Sequence, residues 1–271
     1  MHVFDRSGVP HEQVIHEWSN QTTNSVLTAH RSPCSQFLVL HVERNVKIRG
    51  ETDANSSAFV TRLQKTYIEV RRAPQVTTND NSSKKIMLMS NHLSAGDGNI
   101  LLGAIPFSMR SRTRWVMKHS LKKIPLCGWL LDTAGHLWVR YTDEKDGWGV
   151  EKGTTGTMMA EAAALLERGM PLTIFPEGIR NKKPSAGLAE FKMGFFTLAH
   201  KEHATIYPVA ISGTEKAFPP GQALLDSATI YVSFGEAVLA SKFATAEALR
   251  DHVRDAVARL RDEHPTTSKK K

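Results

Sequence analysis

The fold is decided by one stretch, residues 86–103, which reads IMLMSNHLSAGDGNILLG. Residues 86–90 are largely apolar, and apolar spacing resumes at residues 100–102 after a polar interval. An apolar run followed by Ser, Gly and Asp is typical of a buried strand that leads into a turn and then a helix. His92 therefore lies where a strand ends, with Asp97 five residues further on.

His92 and Asp97 have the residue types of an oriented general base. A turn can bring the Asp97 carboxylate to one imidazole nitrogen and leave the other nitrogen facing outward. The acid would then fix the tautomer and stabilise the imidazolium that forms. The same spacing also arises when a histidine caps a turn and an aspartate begins a helix, so the pair alone leaves both interpretations open.

A second polar turn follows another short apolar run. Residues 172–175 predict a buried strand, and the stretch IFPEGIRN, residues 174–181, carries polar groups past its end. Apolar strand patterns alternate with helical patterns along the chain. This alternation predicts an α/β fold with a central, mostly parallel or mixed sheet flanked by helices.

The charge balance indicates an anionic partner. Lysine and arginine exceed aspartate and glutamate by 35 to 27, which gives a net charge of +8. The densest basic segment is residues 109–123, and no nucleic-acid-binding module surrounds it, so a membrane surface or a coenzyme A phosphate is favoured over nucleic acid. The two cysteines have no metal-ligand spacing, and no His-Glu-x-x-His motif is present, so no metal is expected.

Three segments are predicted along the chain. Residues 1–35 are polar and expected to be weakly ordered, residues 36–262 are expected to form one domain, and residues 263–271 form a basic tail. No signal peptide is recognisable, and no apolar stretch approaches the ~20 residues of a membrane span. We therefore expect a protein that lies on a membrane without crossing it.

Two local patterns give further expectations. Phe59, Leu63 and Tyr67 have helical spacing, which predicts a basic amphipathic helix over residues 57–72. Pro208 lies within the strand predicted at residues 204–211. Because proline cannot donate to a sheet ladder, it indicates an edge strand or a strand end.

Four blocks between residues 42 and 234 resemble, in order, the motifs of the glycerolipid acyltransferases, the superfamily that includes the 1-acylglycerol-3-phosphate acyltransferases. The matching residues are Asn91, His92, Ser94 and Asp97 in the first block, Gly135 and Arg140 in the second, Phe175, Pro176, Glu177, Gly178 and Arg180 in the third, and Pro208 to Ile211 in the fourth. Phe191, Lys192 and Gly194 match a further pattern of that superfamily.

The resemblance implies a glycerol-3-phosphate acyltransferase-like fold and a reaction. An acyl group would pass from acyl-CoA to the sn-2 hydroxyl of 1-acylglycerol-3-phosphate and give phosphatidic acid. His92 would act as the general base and Asp97 would orient it. Arg140 and Arg180 would bind the acceptor phosphate in bidentate fashion, and Glu177 would orient Arg180 or the glycerol hydroxyl. No cofactor is implied, since acyl-CoA is a substrate.

The resemblance also implies substrate-binding residues and partners. The further substrate-binding residues are Asn91, Ser94, Phe175, Pro176, Gly178, Lys192 and Pro208. The partners would be acyl-CoA, lysophosphatidic acid and a membrane surface, with no nucleic acid. The location would be the cytoplasmic face of the endoplasmic reticulum or an equivalent lipid-synthesising membrane. The alternatives are a lysophospholipid acyltransferase for another headgroup and a catalytically inactive lipid-binding protein.

The chain departs from the superfamily in three places. Ile179 and Asn181 stand where threonine and serine are usual, which removes two hydroxyl donors. Trp138 replaces a more usual aliphatic residue or phenylalanine. Members of the superfamily commonly begin with hydrophobic membrane helices, and this sequence has no such stretch, so it is either a peripheral form or lacks its N-terminus.

Overall fold

The structure is a computed structural model that describes residues 46–48, 67–72, 85–105, 107–141, 154–218 and 228–265. All of them belong to one compact unit, residues 38–271. The segment predicted to be weakly ordered, residues 1–35, lies outside the described residues, as does the tail after residue 265. No helix among the described residues is long and apolar enough to cross a membrane.

The described residues form nine strands and seven helices. The strands are β1 (Val46–Ile48), β2 (Tyr67–Arg72), β3 (Ile86–Ser90), β4 (Arg114–Lys118), β5 (Leu137–Val139), β6 (Leu172–Ile174), β7 (Thr205–Ser212), β8 (Thr229–Phe234) and β9 (Val238–Leu239). The helices are α1 (Asp97–Ala104), α2 (Phe107–Arg110), α3 (Cys127–Thr133), α4 (Thr154–Glu167), α5 (Gly194–Lys201), α6 (Thr214–Ala217) and α7 (Ala246–Asp262).

These strands form one mixed sheet in the order β1-β2-β8-β7-β3-β6-β4-β5, with β9 beside β7. Strands β7, β3, β6, β4 and β5 are successive parallel neighbours. Strands β8 and β9 are antiparallel to β7. The predicted α/β fold with a mixed, mostly parallel sheet is therefore confirmed.

Strand β3 lies in the middle of the sheet and contributes to both cores. Met87 and Met89 pack into one apolar cluster, and Leu88 packs into the other. All three side chains are fully buried. Alternation of this kind is expected when successive side chains point to opposite faces and helices cover both faces of a parallel sheet.

Helix α7 is amphipathic and packs one apolar face against the sheet. Thr245 caps it by accepting a hydrogen bond from the N–H of Ala248, 3.2 Å away. Four apolar side chains of α7 are buried against the sheet: Leu249, Val253, Val257 and Leu260. Past the helix, His264 is buried with its ring nitrogens 2.7 Å and 2.8 Å from the hydroxyls of Ser212 and Ser233. The chain therefore stays packed on the sheet at least as far as His264.

The helix predicted over residues 57–72 is wrong in its last part. Residues 57–66 lie outside the described residues, and Tyr67–Arg72 is strand β2. Its backbone pairs with β1 on one side and with β8 on the other. Aromatic and β-branched residues, such as Tyr67, Ile68 and Val70, favour strands, and the pairing with two neighbours outweighs the helical spacing.

The edge position expected from Pro208 is also wrong. Strand β7 is an interior strand, and Pro208 lies beside Met89 of β3. On its other side, β7 changes partner from β9 to β8 at this position. The carbonyl of Pro208 accepts a hydrogen bond from the N–H of Gly235, 2.7 Å away, across that change. The nitrogen and the carbonyl of one residue face the same side of a strand, so the nitrogen of Pro208 also faces β8 and β9. At this position β7 pairs with neither of them, and the missing N–H therefore costs no hydrogen bond of the sheet.

Candidate active site

The two polar turns predicted from the sequence meet at one edge of the sheet. Strands β3 and β6 are parallel neighbours, with Met89 beside Ile174. Residues 91–97 and 175–181 therefore leave the sheet side by side at its carboxyl edge. This edge is where α/β proteins commonly bind ligands.

The imidazole of His92 is held by a buried carboxylate. Its Nδ1 lies 2.7 Å from Oδ2 of Asp97, which is fully buried at the start of α1. The same oxygen accepts hydrogen bonds from the N–H groups of Leu93 and Ser94, at 2.5 Å and 2.9 Å. Because the carboxylate is the acceptor, we assign the proton to Nδ1 and leave Nε2 as a proton acceptor. The His92 side chain is 21% exposed, so Nε2 can be reached from outside.

An aromatic ring fixes the plane of the same imidazole. The rings of Phe175 and His92 are stacked, with centroids 4.3 Å apart and planes 16° apart. Trp115 lies behind Phe175, 6.3 Å away between ring centroids. Phe175 packs against the apolar cluster on the α1 side of the sheet. Phe175 was expected to bind substrate, and its observed contact is with the base itself.

The main chain of His92 joins the two turns. Its N–H donates to Oε1 of Glu177 over 2.8 Å, and its carbonyl accepts from the N–H of Asn181 over 2.7 Å. Oε2 of Glu177 accepts from the N–H of Ala189, 2.9 Å away. Glu177 is 1% exposed. Burial raises the pKa of Glu177, and the N–H donors of His92 and Ala189 oppose that rise.

The expected pair between Glu177 and Arg180 is not formed. Both carboxylate oxygens of Glu177 accept hydrogen bonds from backbone N–H groups. Arg180 is exposed and makes no ion pair with any described residue. Glu177 is therefore a positioning residue that holds the His92 backbone.

Two exposed arginines lie at the same edge of the sheet. Arg140 directly follows β5, and Arg180 lies in the turn after β6. Both are exposed, and neither is hydrogen-bonded or ion-paired within the part of the chain that the structure describes. The hydroxyl of Tyr141 donates to the carbonyl of Gly178 over 2.7 Å, which ties the segment after Arg140 to the turn that carries Arg180. Burial raises the pKa of Tyr141, so this hydroxyl keeps its proton.

Further positive charge surrounds Arg140. Burial and the charges of Arg140, Lys122 and Lys123 lower the pKa of His119, which begins the 3₁₀ helix His119–Lys123 after β4. Because these cations depress the protonation of a neighbouring histidine, this edge favours an anionic ligand.

Asn91 and Ser94 are turned inward. The side-chain amide of Asn91 donates to the carbonyl of Ile211 over 2.9 Å and accepts from its N–H over 2.8 Å. The hydroxyl of Ser94 accepts from the N–H of Gly96 at 3.0 Å and donates to Asp97 at 3.4 Å. Both side chains are buried. We assign them to the positioning of the turn, whereas the sequence suggested contact with substrate.

Four other expected substrate-binding residues support the turn after β6 or the sheet. Pro176 is buried, and its carbonyl accepts from the N–H of Lys192 over 2.8 Å. The Lys192 ammonium is exposed and pairs with Glu190 at 2.9 Å. Gly178 has φ +75°, a conformation that glycine adopts without strain. Pro208 is buried within β7. Their contact with a substrate stays a prediction.

Three backbone donors of the His92 turn are already used. A developing oxyanion is commonly stabilised by backbone N–H groups near the reacting centre. The N–H of His92 donates to Glu177, and those of Leu93 and Ser94 donate to Asp97. None of these three groups is free for that task.

Sequence reasoning missed Tyr141 and Ala189. Tyr141 directly follows the arginine of the second block, and a polar aromatic residue past a strand end was a usable signal. Ala189 contributes only its backbone N–H, which no residue type marks. Within the described ranges, no group of three or more His, Cys, Asp or Glu side chains is arranged to hold a metal ion.

The role of Glu177 can be tested by Glu177→Gln. An amide can accept from only one of the two N–H donors, and its NH₂ group would face the other. We expect the free energy of unfolding in urea to fall by about 1–3 kcal/mol, the cost of leaving a buried donor unpaired. Glu190→Gln, at an exposed position of the same turn region, should change it by less than about 0.5 kcal/mol. Equal stability of the two variants would contradict this role.

The chain resembles curated 1-acyl-sn-glycerol-3-phosphate acyltransferases. It is 26% identical over 182 residues to the chloroplastic enzyme LPAT1 of Arabidopsis thaliana, which covers 67% of this chain and 46% of that protein. It is 29% identical over 147 residues to the enzyme so named from Borreliella burgdorferi, which covers 53% of this chain and 52% of that protein. The chain therefore spans about half the length of the curated relatives it matches.

A solved structure shares the fold. The crystal structure of the 1-acyl-sn-glycerophosphate (LPA) acyltransferase PlsC from Thermotoga maritima matches with a TM-score of 0.58. The match covers 91% of this chain and 86% of that chain at 20% identity. Residues 68–212 match the family model described as Acyltransferase. Since this region includes His92, Asp97 and Glu177 and makes up more than half of the 271 residues, the chain belongs to the acyltransferase family.

Proposed function

We propose that the protein transfers an acyl group from acyl-CoA to the sn-2 hydroxyl of 1-acylglycerol-3-phosphate and releases phosphatidic acid and free coenzyme A. The observation that carries this proposal is the oriented pair of His92 and Asp97 at the edge where Arg140 and Arg180 are exposed. The names of the curated relatives support the acceptor.

His92 is the catalytic base in this reaction. Its Nε2 takes the proton of the acceptor hydroxyl as that oxygen attacks the thioester carbonyl, and a tetrahedral intermediate forms. Asp97 holds Nδ1 and stabilises the imidazolium. When the carbon–sulfur bond breaks, the imidazolium returns the proton to the leaving thiolate.

The acceptor phosphate is the group that the two arginines suit best. A guanidinium offers parallel N–H donors that match phosphate oxygens. The tie between Tyr141 and Gly178 fixes the backbone near both arginines. A lysophospholipid with another headgroup is the alternative acceptor, and it would present a phosphodiester with fewer free oxygens.

The inactive lipid-binding alternative is less well supported. A protein that only binds lipid has no use for a buried carboxylate on Nδ1 or for a ring stacked against the imidazole. We also propose that the protein works on a membrane surface, because its acceptor is an amphiphile and its net charge is +8. The endoplasmic reticulum stays a prediction.

The decisive experiment removes the base. His92→Ala should lose about 10²–10⁴-fold in turnover, measured as thiol release from oleoyl-CoA with lysophosphatidic acid. Asp97→Asn should lose less, because it disturbs the orientation and tautomer of the base and leaves the base present. The control is His252→Ala on α7, and the circular dichroism of all three variants should match the parent. A rate for His92→Ala close to that of the parent would exclude this mechanism.

The arginines should act on the acceptor. In Arg140→Lys and Arg180→Lys a single ammonium replaces the bidentate donor, so KM for lysophosphatidic acid should rise about 10–100-fold with little change in kcat. Arg259→Lys, on the exposed face of α7, is the matched control. The rise should be much smaller with lysophosphatidylcholine, which has no phosphate monoester. If only the saturation by oleoyl-CoA changes, the two substrates have been assigned to the wrong ends of the site.

Acyl transfer should be direct, without an acyl-enzyme. A covalent route needs a nucleophile activated by an adjacent base, and the Ser94 hydroxyl is turned to Asp97. Incubation with labelled acyl-CoA and no acceptor should leave no label on the denatured protein. Cys34→Ser and Cys127→Ser should retain activity. A stoichiometric adduct on Ser94 or on either cysteine would show that the transfer has two stages.

A further inference from the structure

An exposed apolar tip follows the 3₁₀ helix His119–Lys123. It consists of Ile124, Leu126 and Trp129, which are 45%, 62% and 64% exposed. Among the described large apolar side chains, Leu239 on β9 is the other exposed one, at 37%. A group of three neighbouring apolar side chains with this exposure is a typical mark of an interaction surface.

The backbone holds the tip outward in a strained conformation. Leu126 has φ +61° and ψ −52°, close to a rare γ-turn that is unfavourable for a residue with a side chain. A Cβ atom on Gly128 would lie 2.2 Å from the carbonyl oxygen of Lys122, so the chain can fold back this tightly only with glycine there. The N–H of Gly128 donates to the carbonyl of Ile124 over 2.7 Å and closes the loop. Strain of this kind concentrates at functional sites.

Trp138 connects the tip to the strand that leads to the candidate active site. Its Nε1–H donates to Asp132 of α3 over 3.1 Å. Lys122 forms an ion pair with the same carboxylate at 2.6 Å and lies 4.8 Å from the Trp138 ring centroid. Trp138 is two residues before Arg140. The tip is therefore fixed to β5, which directly precedes this arginine at the carboxyl edge of the sheet.

The positive charges next to the tip are those of Lys122, which is paired with Asp132, and of Lys123. The basic segment predicted from the sequence is divided by β4. The guanidinium groups of Arg110, Arg112 and Arg114 donate to backbone carbonyls at the end of α1, after α4 and just before β4, respectively. The two lysines follow its carboxyl end. Only the lysine end of the segment adjoins the tip.

We propose that the apolar tip inserts into the interfacial layer of an anionic bilayer, with Lys122 and Lys123 against the headgroups. The proposal rests on the proposed function, because the acceptor there is a lipid. Trp and Leu side chains next to lysine suit this layer, where apolar burial and attraction to anionic lipids act together. With the tip inserted, Arg140 faces the headgroup plane. The acceptor could then reach His92 with its acyl chain still in the bilayer.

The test measures binding of the full chain to vesicles of phosphatidylcholine and phosphatidylglycerol in equal parts. Leu126→Asn combined with Trp129→Ser should weaken binding by about tenfold or more, since two apolar side chains no longer leave water. Lys123→Glu should weaken it about tenfold at low salt and much less at high salt. The matched controls, Leu239→Asn and Lys201→Glu, should bind as the parent does.

Tryptophan fluorescence gives an independent measurement. Lipids with brominated acyl chains should quench the emission of the parent protein. Trp129→Phe should remove most of that quenching and keep vesicle binding, since phenylalanine preserves an apolar side chain. Quenching that is unchanged in Trp129→Phe would overturn the proposal.

If the tip contacts another part of this chain or a second copy of it, the double variant will behave differently. If Leu126→Asn with Trp129→Ser lowers the melting temperature, the tip packs against this chain and the proposal fails. If the double variant changes the oligomer size in solution, a second copy covers the tip and the proposal fails.

Thiol release with a short-chain, water-soluble lysophosphatidic acid should be unchanged in the double variant. If the parent itself lacks that activity, the proposed function is contradicted. The vesicle measurements would still test whether the tip inserts into the bilayer.

Discussion

The site depends on the main chain of one residue, His92. Its N–H is bound by the buried carboxylate of Glu177, and its carbonyl by the N–H of Asn181. These two bonds join turns that are far apart in the chain, since His92 and Glu177 are separated by 85 residues. A buried carboxylate is costly unless hydrogen bonds satisfy it, and here the backbone donors of His92 and Ala189 do so. The same bonds set the distance between the base and the turn that carries Arg180.

The imidazole is constrained on two sides and open on the third. Asp97 holds Nδ1, and the ring of Phe175 covers one face, so Nε2 is directed to the exposed side. The positive groups lie on the same edge, because Arg140 directly follows β5 and Tyr141 ties the following segment to Gly178. In the proposed reaction, the base, the phosphate site and the apolar tip thus share the carboxyl edge of one sheet. A lipid approaching from a bilayer would then meet all three at the same edge.

The sequence predicted the parts of this site that depend on residue type at a strand end. The pattern of residues 86–97 was sufficient for β3, the turn and the contact between His92 and Asp97, because each follows from local periodicity and a short spacing. The partner of Glu177 could not be predicted in this way, since the groups it binds are backbone N–H donors. The edge position predicted from Pro208 is wrong for a related reason, because the missing N–H lies where β7 changes its partner from β9 to β8. The apolar run after residue 123 resembles a buried segment, and only the backbone at Leu126 turns it outward.

The departures from the family motif at residues 179 and 181 bear on acceptor recognition. Asn181 uses its side chain within its own turn, donating to the carbonyl of Gly187 over 2.7 Å and accepting from the N–H of Lys183 over 2.9 Å. Ile179 is half-buried and has no polar group to offer. In the proposed reaction, neither residue supplies a donor to the phosphate. Recognition of the acceptor would then fall to Arg140 and Arg180, whose guanidinium groups are exposed and whose backbones are held by the bond between Tyr141 and Gly178. In that reaction, a backbone that is already held near both arginines would lower the entropy lost on binding and so offset the smaller number of donors.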